Sequence, residues 1–342
     1  MRAIVYSEPE RFLLKQVDKP KCNEDQVLIK VKFCGVCKTD VHIHKGSFIS
    51  RFPLTPGHEF TGIVEEVGSS VVKFKAGDRV VGDNTVLCGD CYYCRRNQPL
   101  YCDNFYSLGV NGPGGFAEYV LVNADKVFSL SDDLNLEEAA FTEPTACAVH
   151  GMDMIGVRPG DDVLLFGAGP TGIILAQLLK HGGAGNVLVA APTRSKLNLV
   201  EELGVGGTIL VDRNDARQHE KEIKALFPQG FDIIVDATGA AAITGSCLQF
   251  ARKGAKVVIY GVCDEDDRIS ISPYEVFAKE LKIIGSFAQT HCFDRALKYL
   301  ENGTVKVDKL VTHHYGLEKY GEALDTVIHG QGSLKVMIAP DC

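Results

Sequence analysis

The chain has 342 residues, 45% of them hydrophobic, and a formal charge of -8. That length exceeds what one hydrophobic core ordinarily fills, so two domains are expected, and the acidic balance excludes an electrostatic footprint for nucleic acid. No apolar run reaches the roughly 20 residues of a membrane-spanning helix, and the opening stretch alternates like strands (Ala3-Ile4-Val5, Val27-Leu28-Ile29) where a secretory signal would carry a basic start and an apolar core.

A cytoplasmic protein acting on a small molecule is therefore expected, with neither nucleic acid nor membrane as partner. In that compartment twelve cysteines point to metal binding before disulfides.

Residues 1–150 are rich in Gly, Pro and short alternating runs, among them Gly62-Ile63-Val64-Glu65-Glu66-Val67-Gly68 and Glu118-Tyr119-Val120-Leu121-Val122. They predict an antiparallel, barrel-like β region. Within it lie Gly35-Val36-Cys37-Lys38-Thr39-Asp40-Val41-His42, Gly57-His58-Glu59 and Glu143-Pro144. Cys37, His58 and Glu143 offer a thiolate, an imidazole and a carboxylate, and three protein ligands leave the fourth position of a catalytic zinc open to water or substrate. Spacing alone also admits a plainer reading, with His58 beside Glu59 as a structural pair and Cys37 as an ordinary buried thiol. The run Cys88-x2-Cys91-x2-Cys94-x7-Cys102 is more specific, because four closely spaced thiolates make a closed tetrahedral zinc site with a structural role.

After Arg158-Pro159-Gly160 short apolar strands alternate with amphipathic segments of helix length, which predicts βαβ units and a parallel sheet. Six strands centre on Val163-Leu164-Leu165, Val187-Leu188-Val189, Ile209-Leu210-Val211, Ile233-Ile234-Val235, Val257-Val258-Ile259 and Leu281-Lys282-Ile283-Ile284. Six parallel strands complete a doubly wound dinucleotide fold. Directly after the first comes Gly167-Ala168-Gly169-Pro170-Thr171-Gly172, then the apolar helix Ile173 to Lys180. This is a GxGxxG turn in its proper setting. Gly167 permits the tight turn, Gly169 lets backbone approach a pyrophosphate, Gly172 lets helix pack on strand, and Pro170 and Thr171 open the helix whose amides face the phosphate.

The second strand ends without the carboxylate that would bind the ribose 2'-hydroxyl of NAD; it continues Ala191-Pro192-Thr193-Arg194-Ser195-Lys196. Thr193, Arg194, Ser195 and Lys196 suit a 2'-phosphate, so NADP is favoured over NAD. The alternative is that Arg194 and Lys196 are solvated residues opening a helix. From about Ser286 two amphipathic helices, Phe293 to Leu300 and Leu317 to Ile328, and a closing strand, Leu334 to Ile338, are expected. This tail is too short for its own core and is expected to rejoin the first domain. The expected division is thus 1–150 plus 286–342 as the zinc-binding domain and 151–285 as the dinucleotide-binding domain.

The segments GVCKTDVH, PGHEFTG, GGFAEYV, EPTACAVHG and GAGPTG, together with the four-cysteine lobe, occur in an order that resembles the zinc-containing medium-chain dehydrogenase/reductase family over essentially the whole chain. Glu143 followed by Pro144 resembles the polyol and threonine dehydrogenase branches more than simple alcohol dehydrogenases, whose third zinc ligand is usually a cysteine. The resemblance implies an α/β protein, with a GroES-like β-rich catalytic domain plus a Rossmann domain. It implies two zinc ions, one catalytic on Cys37, His58 and Glu143 and one structural.

Glu59 would be an additional zinc ligand or a water-mediated partner, and Asp40 would orient His58. Thr39 would accept the substrate proton, His42 would pass it to solvent, and Lys38 would approach the pyrophosphate. The implied reaction is reversible oxidation of a secondary alcohol of a polyol, such as D-arabinitol, to the ketose by hydride transfer to NADP in a homodimer or homotetramer. The cleft between the two domains is the expected place for it. An L-threonine dehydrogenase with the same zinc chemistry is the alternative, and a non-enzymatic nucleotide-binding protein is the alternative of a different class.

Overall fold

The computed structural model describes residues 1–212, 215–330 and 332–341. The chain divides into two compact units. One comprises Met1–Ala146, Gln289–Gly303 and Val307–Cys342; the other comprises Cys147–Ala288 and Thr304–Lys306.

Strand Gln26–Val36 organises the first unit. It pairs antiparallel with Lys335–Ile338 and with Tyr119–Asn123 on one edge, and with Glu59–Val67 on the other. Arg79–Gly82 and Val127–Ser129 extend the sheet beyond Glu59–Val67, and Val311–Tyr315 lies parallel to Lys335–Ile338, making seven strands. The alternation read from the sequence emerges as burial: Val64 faces the core, while Glu65 and Glu66 face water. Tyr6, Ile29, Val31, Phe60, Phe116, Tyr320 and Ile338 meet in one apolar cluster. Burying each such side chain is worth about 1.5–3 kcal/mol relative to exposure.

The tail joins this unit through helices Phe293–Glu301 and Tyr320–His329 and strand Lys335–Ile338. Two details depart from the sequence expectation. The second helix opens as a tight 3-10 turn, Leu317–Lys319, and strand Val311–Tyr315 precedes it. That strand carries Thr312, His313 and His314, and its half-exposed, polar composition conceals its extended backbone from an apolar pattern search.

The second unit is a six-stranded parallel sheet. Across it lie Gly207–Leu210, Asn186–Ala191, Asp162–Phe166, Phe231–Asp236, Ala251–Ile259 and Lys282–Gly285. The six expected strands are all present, in the doubly wound order. Val163, Leu164 and Leu165 are each fully buried, as the centre of a sheet covered on both faces requires. Helix Pro170–His181 buries a continuous stretch from Gly172 to Leu179, which explains why it reads as apolar all round. At the opposite end of the strands the Arg252 guanidinium bridges Asp162 and Asp232, fastening the first, fourth and fifth strands together.

Candidate active site

The two metal-capable groups among the described residues both lie in the first unit. In one, ligand atoms of Cys37, His58 and Glu59 all fall within 4.8 Å of one another. The local fold explains the convergence. Cys37 ends strand Gln26–Val36 and starts helix Lys38–His44. The Cys37 amide donates to Asp40 Oδ2 at 2.8 Å, while the Asp40 amide donates to the Cys37 carbonyl at 3.0 Å, a reciprocal clasp that fixes the turn. Glu59 opens the neighbouring strand directly after His58 and lies opposite Gly35. A Cβ at position 35 would stand 2.0 Å from Glu59 Oε2, so the glycine makes room for that carboxylate.

Asp40 and His58 are buried and face each other, with Asp40 Oδ1 to His58 Nδ1 at 3.7 Å. This is close enough for charge attraction and too long for the hydrogen bond expected of an orienting carboxylate; both atoms are buried without a hydrogen-bond partner. Burial pushes the Asp40 carboxyl up to about 6, opposed by His58 and by the Cys37 amide. Burial disfavours charge on His58, yet Asp40 in the first place, then Cys37 and Glu143, outweigh it and hold the imidazole well above its ordinary range. The negative neighbours that hold this proton would also favour a dication that displaces it, and a thiolate, imidazole and carboxylate together suit zinc.

Glu143, the expected third ligand, lies in the first turn of helix Thr142–Ile155. The structure brings Cys37 and His58 together with Glu59, and Glu143 lies outside that three-residue group. Its charge nonetheless reaches both His58 and Lys335. Thr39 sits in the first turn of the Lys38–His44 helix, its hydroxyl 3.7 Å from Cys37 Sγ. Half-buried His42 follows three residues later on the same helical face, and Lys38 is exposed.

Sequence reasoning did not single out Lys335. It is 3% exposed and donates to Glu59 at 2.8 and 2.6 Å through Nζ. Burial disfavours its charge, but Glu59 and then Cys37 dominate and push it up to about 12. The only available signal was a lysine within the otherwise apolar run Val336-Met337-Ile338 and its neighbour Leu334.

The second group is Cys88, Cys91, Cys94 and Cys102, again with ligand atoms within 4.8 Å. Amides of Cys94 and Asp103 lower the Cys91 thiol to about 6, whereas burial and then the neighbouring Cys91 thiol raise Cys94 to about 12. Four sulfurs so crowded do not ionise together without a cation among them, which fits the closed tetrahedral site read from their spacing.

In the second unit Gly167 has φ +113° and donates through its amide to the Ala190 carbonyl at 2.9 Å, turning the chain from strand into helix. Gly169 caps the helix, Pro170 is its first residue and Thr171 follows. A Cβ at Gly172 would lie 2.3 Å from the Gly167 carbonyl oxygen, while one at Gly169 would meet nothing within 4 Å. The third glycine is thus needed for packing, and the second leaves open space before helix amides, where a pyrophosphate fits. Thr193 caps helix Arg194–Glu202; Arg194 and Ser195 are exposed and Lys196 half-buried at the end of the second strand.

Comparison with known proteins agrees with this geometry. Residues 23–132 match the alcohol dehydrogenase GroES-like domain, and residues 170–302 match the zinc-binding dehydrogenase domain. D-arabinitol dehydrogenase 1 of Uromyces fabae is 44% identical over 342 residues, covering 100% of this chain and 97% of the relative. D-altritol 5-dehydrogenase of Agrobacterium fabrum is 34% identical, covering 93% of this chain and 94% of its own. A protein of Sinorhizobium meliloti 1021 solved bound to NADP superposes with a TM-score of 0.91 at 31% identity, over 99% of each chain. A short chain alcohol dehydrogenase from E. coli CFT073 complexed with NADH gives 0.90 at 28% identity, also over 99% of each. The chain belongs to the zinc-containing medium-chain alcohol dehydrogenase family, as an oxidoreductase of the polyol or alcohol dehydrogenase type that uses a nicotinamide dinucleotide.

Proposed function

We propose that the protein reversibly oxidises a secondary hydroxyl of a polyol, with D-arabinitol as the leading candidate, to the ketose, with NADP as hydride acceptor. The observation that carries this reading is the convergence of Cys37, His58 and Glu59 next to the Thr39 hydroxyl. The 44% identity to a D-arabinitol dehydrogenase supports the substrate class.

When bound, a zinc ion would supply a Lewis acid for the substrate hydroxyl, and the dinucleotide would supply the acceptor. Cys37 and His58 would hold that ion with Glu143 or Glu59 as the carboxylate donor, Lys335 keeping Glu59 in place when Glu143 serves. Asp40 fixes the Cys37 turn and neutralises charge on His58. Thr39 Oγ1 would accept the proton of the substrate hydroxyl while giving up its own hydroxyl proton, which His42, one helical turn on, would take at its imidazole and release to solvent. Cys88, Cys91, Cys94 and Cys102 would hold a second, structural zinc.

The small residue Ala191 where a ribose-binding carboxylate would stand, followed by Thr193, Arg194, Ser195 and Lys196, supports NADP; Gly167, Gly169, Pro170, Thr171 and Gly172 would receive the pyrophosphate. A cytoplasmic homodimer or homotetramer is part of the same reading. Its support is strand Lys282–Gly285 at the edge of the parallel sheet, together with exposed Tyr274 and Phe277 on the helix that precedes it in the chain.

The test is initial rates of NADP reduction with a panel of alditols, L-threonine and ethanol, each repeated with NAD. Rapid turnover of a pentitol or hexitol with NADP is expected. Turnover of threonine or ethanol alone would overturn the substrate, and preference for NAD would overturn the cofactor choice.

A further inference from the structure

The fourth strand of the parallel sheet, Phe231–Asp236, ends in a carboxylate that the dehydrogenase chemistry does not use. Asp236 is fully buried and pairs in register with Phe166, the residue just before the glycine-rich turn. It therefore stands where the strand order reverses, at the mouth of the crevice that takes a dinucleotide in this fold. A buried carboxylate is costly unless hydrogen-bonded. Here Oδ1 accepts from the Thr238 amide at 2.8 Å and from the Thr238 hydroxyl at 2.6 Å, and Oδ2 accepts from the Thr244 hydroxyl. The Thr238 hydroxyl oxygen in turn accepts from the Ala240 amide at 3.1 Å. One carboxylate thus determines the path of the whole loop from Ala237 to Ala240 and ties it to helix Ala241–Ser246.

That loop packs backbone to backbone on its neighbours. A Cβ at Gly167 would lie 3.0 Å from the Ala237 carbonyl oxygen, and one at Gly261 would lie 2.2 Å from the Gly239 amide nitrogen. Gly239 itself has φ +66° and leaves 2.2 Å between a Cβ and the Val262 carbonyl oxygen. The Asp236 carbonyl also accepts from the Tyr260 and Gly261 amides, so the loop after the fifth strand is held by the same residue.

The doubly wound fold consists of two mononucleotide halves; the first, with the glycine turn and second-strand end, takes the adenosine side, which leaves the fourth to sixth strands to the nicotinamide side. We infer that Asp236 is a positioning residue that holds the Thr238–Ala240 loop as the nicotinamide-side wall of the cofactor crevice. Asp236 acts through that loop without touching the ring. This inference rests on the dinucleotide reading of the second unit.

The experiment titrates the zinc-loaded full chain, wild type against Asp236→Asn and the milder Thr244→Val, with NADP and separately with 2',5'-ADP, the fragment lacking the nicotinamide half. Both variants are expected to bind NADP about tenfold more weakly, the size of one lost hydrogen bond to a charged group. Affinity for 2',5'-ADP should stay within about twofold, and thermal unfolding confirms that each variant is folded. An equal loss for both ligands would make Asp236 a purely structural support, and unchanged NADP affinity in Thr244→Val and Asp236→Asn alike would equally overturn the inference. A wild type that binds neither NADP nor NAD would refute the dinucleotide reading itself, and the positioning role with it.

Discussion

Single residues decide the charge balance of the metal-ligand group. Lys335 and Glu59 form a buried ion pair, and removing one partner leaves an uncompensated charge out of water. Lys335→Met should cost about 3–5 kcal/mol of stability in urea denaturation. The double variant Glu59→Gln/Lys335→Met should lose much less; equal losses would show that the two side chains do not act as a pair. Cys37, His58 and Thr39 were legible in the sequence because ligand and hydroxyl types cluster in two short glycine-flanked segments. Lys335 was not, because 276 residues separate it from Glu59 and the only local hint is polarity inside a strand. Asp236 was hidden for a related reason: read in sequence it simply ends an apolar strand, and its partners are two hydroxyls and an amide that only the folded loop assembles.

Among the elements, the cysteine lobe has little support from packing. Tyr93 makes edge contacts with Tyr92 and Tyr101, and Arg96 lies 3.6 Å from the centre of the Tyr92 ring, yet Leu100 and Cys102 are the buried residues of the 88–102 segment. So small an apolar contribution would leave the proposed zinc as the principal tie. Chelation of the zinc proposed for this lobe, or Cys94→Ser, should raise amide hydrogen exchange across 88–104 while strand Glu59–Val67 keeps its protection. Loss of protection in both would mean that the lobe and the sheet unfold together.

The parallel strands were the most legible elements, since burial on both faces makes each one continuously apolar. Strand Val311–Tyr315 was the least, since its two histidines mask an edge position in a mixed sheet.

For the molecule as a whole, the self-association proposed above draws on exposed apolar side chains of the parallel-sheet unit. Tyr274 and Phe277 are 77% and 79% exposed, and Ile283 on the edge strand itself is 41% exposed. An exposed sheet edge with apolar side chains is the kind of surface on which such pairing would form. Sedimentation should show at least a dimer for the wild type and a monomer for Phe277→Glu/Ile283→Lys with the fold intact. A monomeric wild type would remove this surface as an interface. The two-unit architecture was foreshadowed by the change of texture after Arg158-Pro159-Gly160, from alternating runs to strands separated by helices, whereas the return of the tail was inferred merely from its shortness.

That return orders events during synthesis. The ribosome finishes all six strands of the parallel sheet before it makes Lys335–Ile338, the strand on which the other sheet's Gln26–Val36 edge depends. A nascent chain therefore carries a completed nucleotide-binding sheet beside an unfinished metal-binding one. The ammonium that fixes Glu59 emerges only after the nucleotide-binding sheet, so the metal-ligand cluster reaches its final charge balance only once Lys335 has followed it.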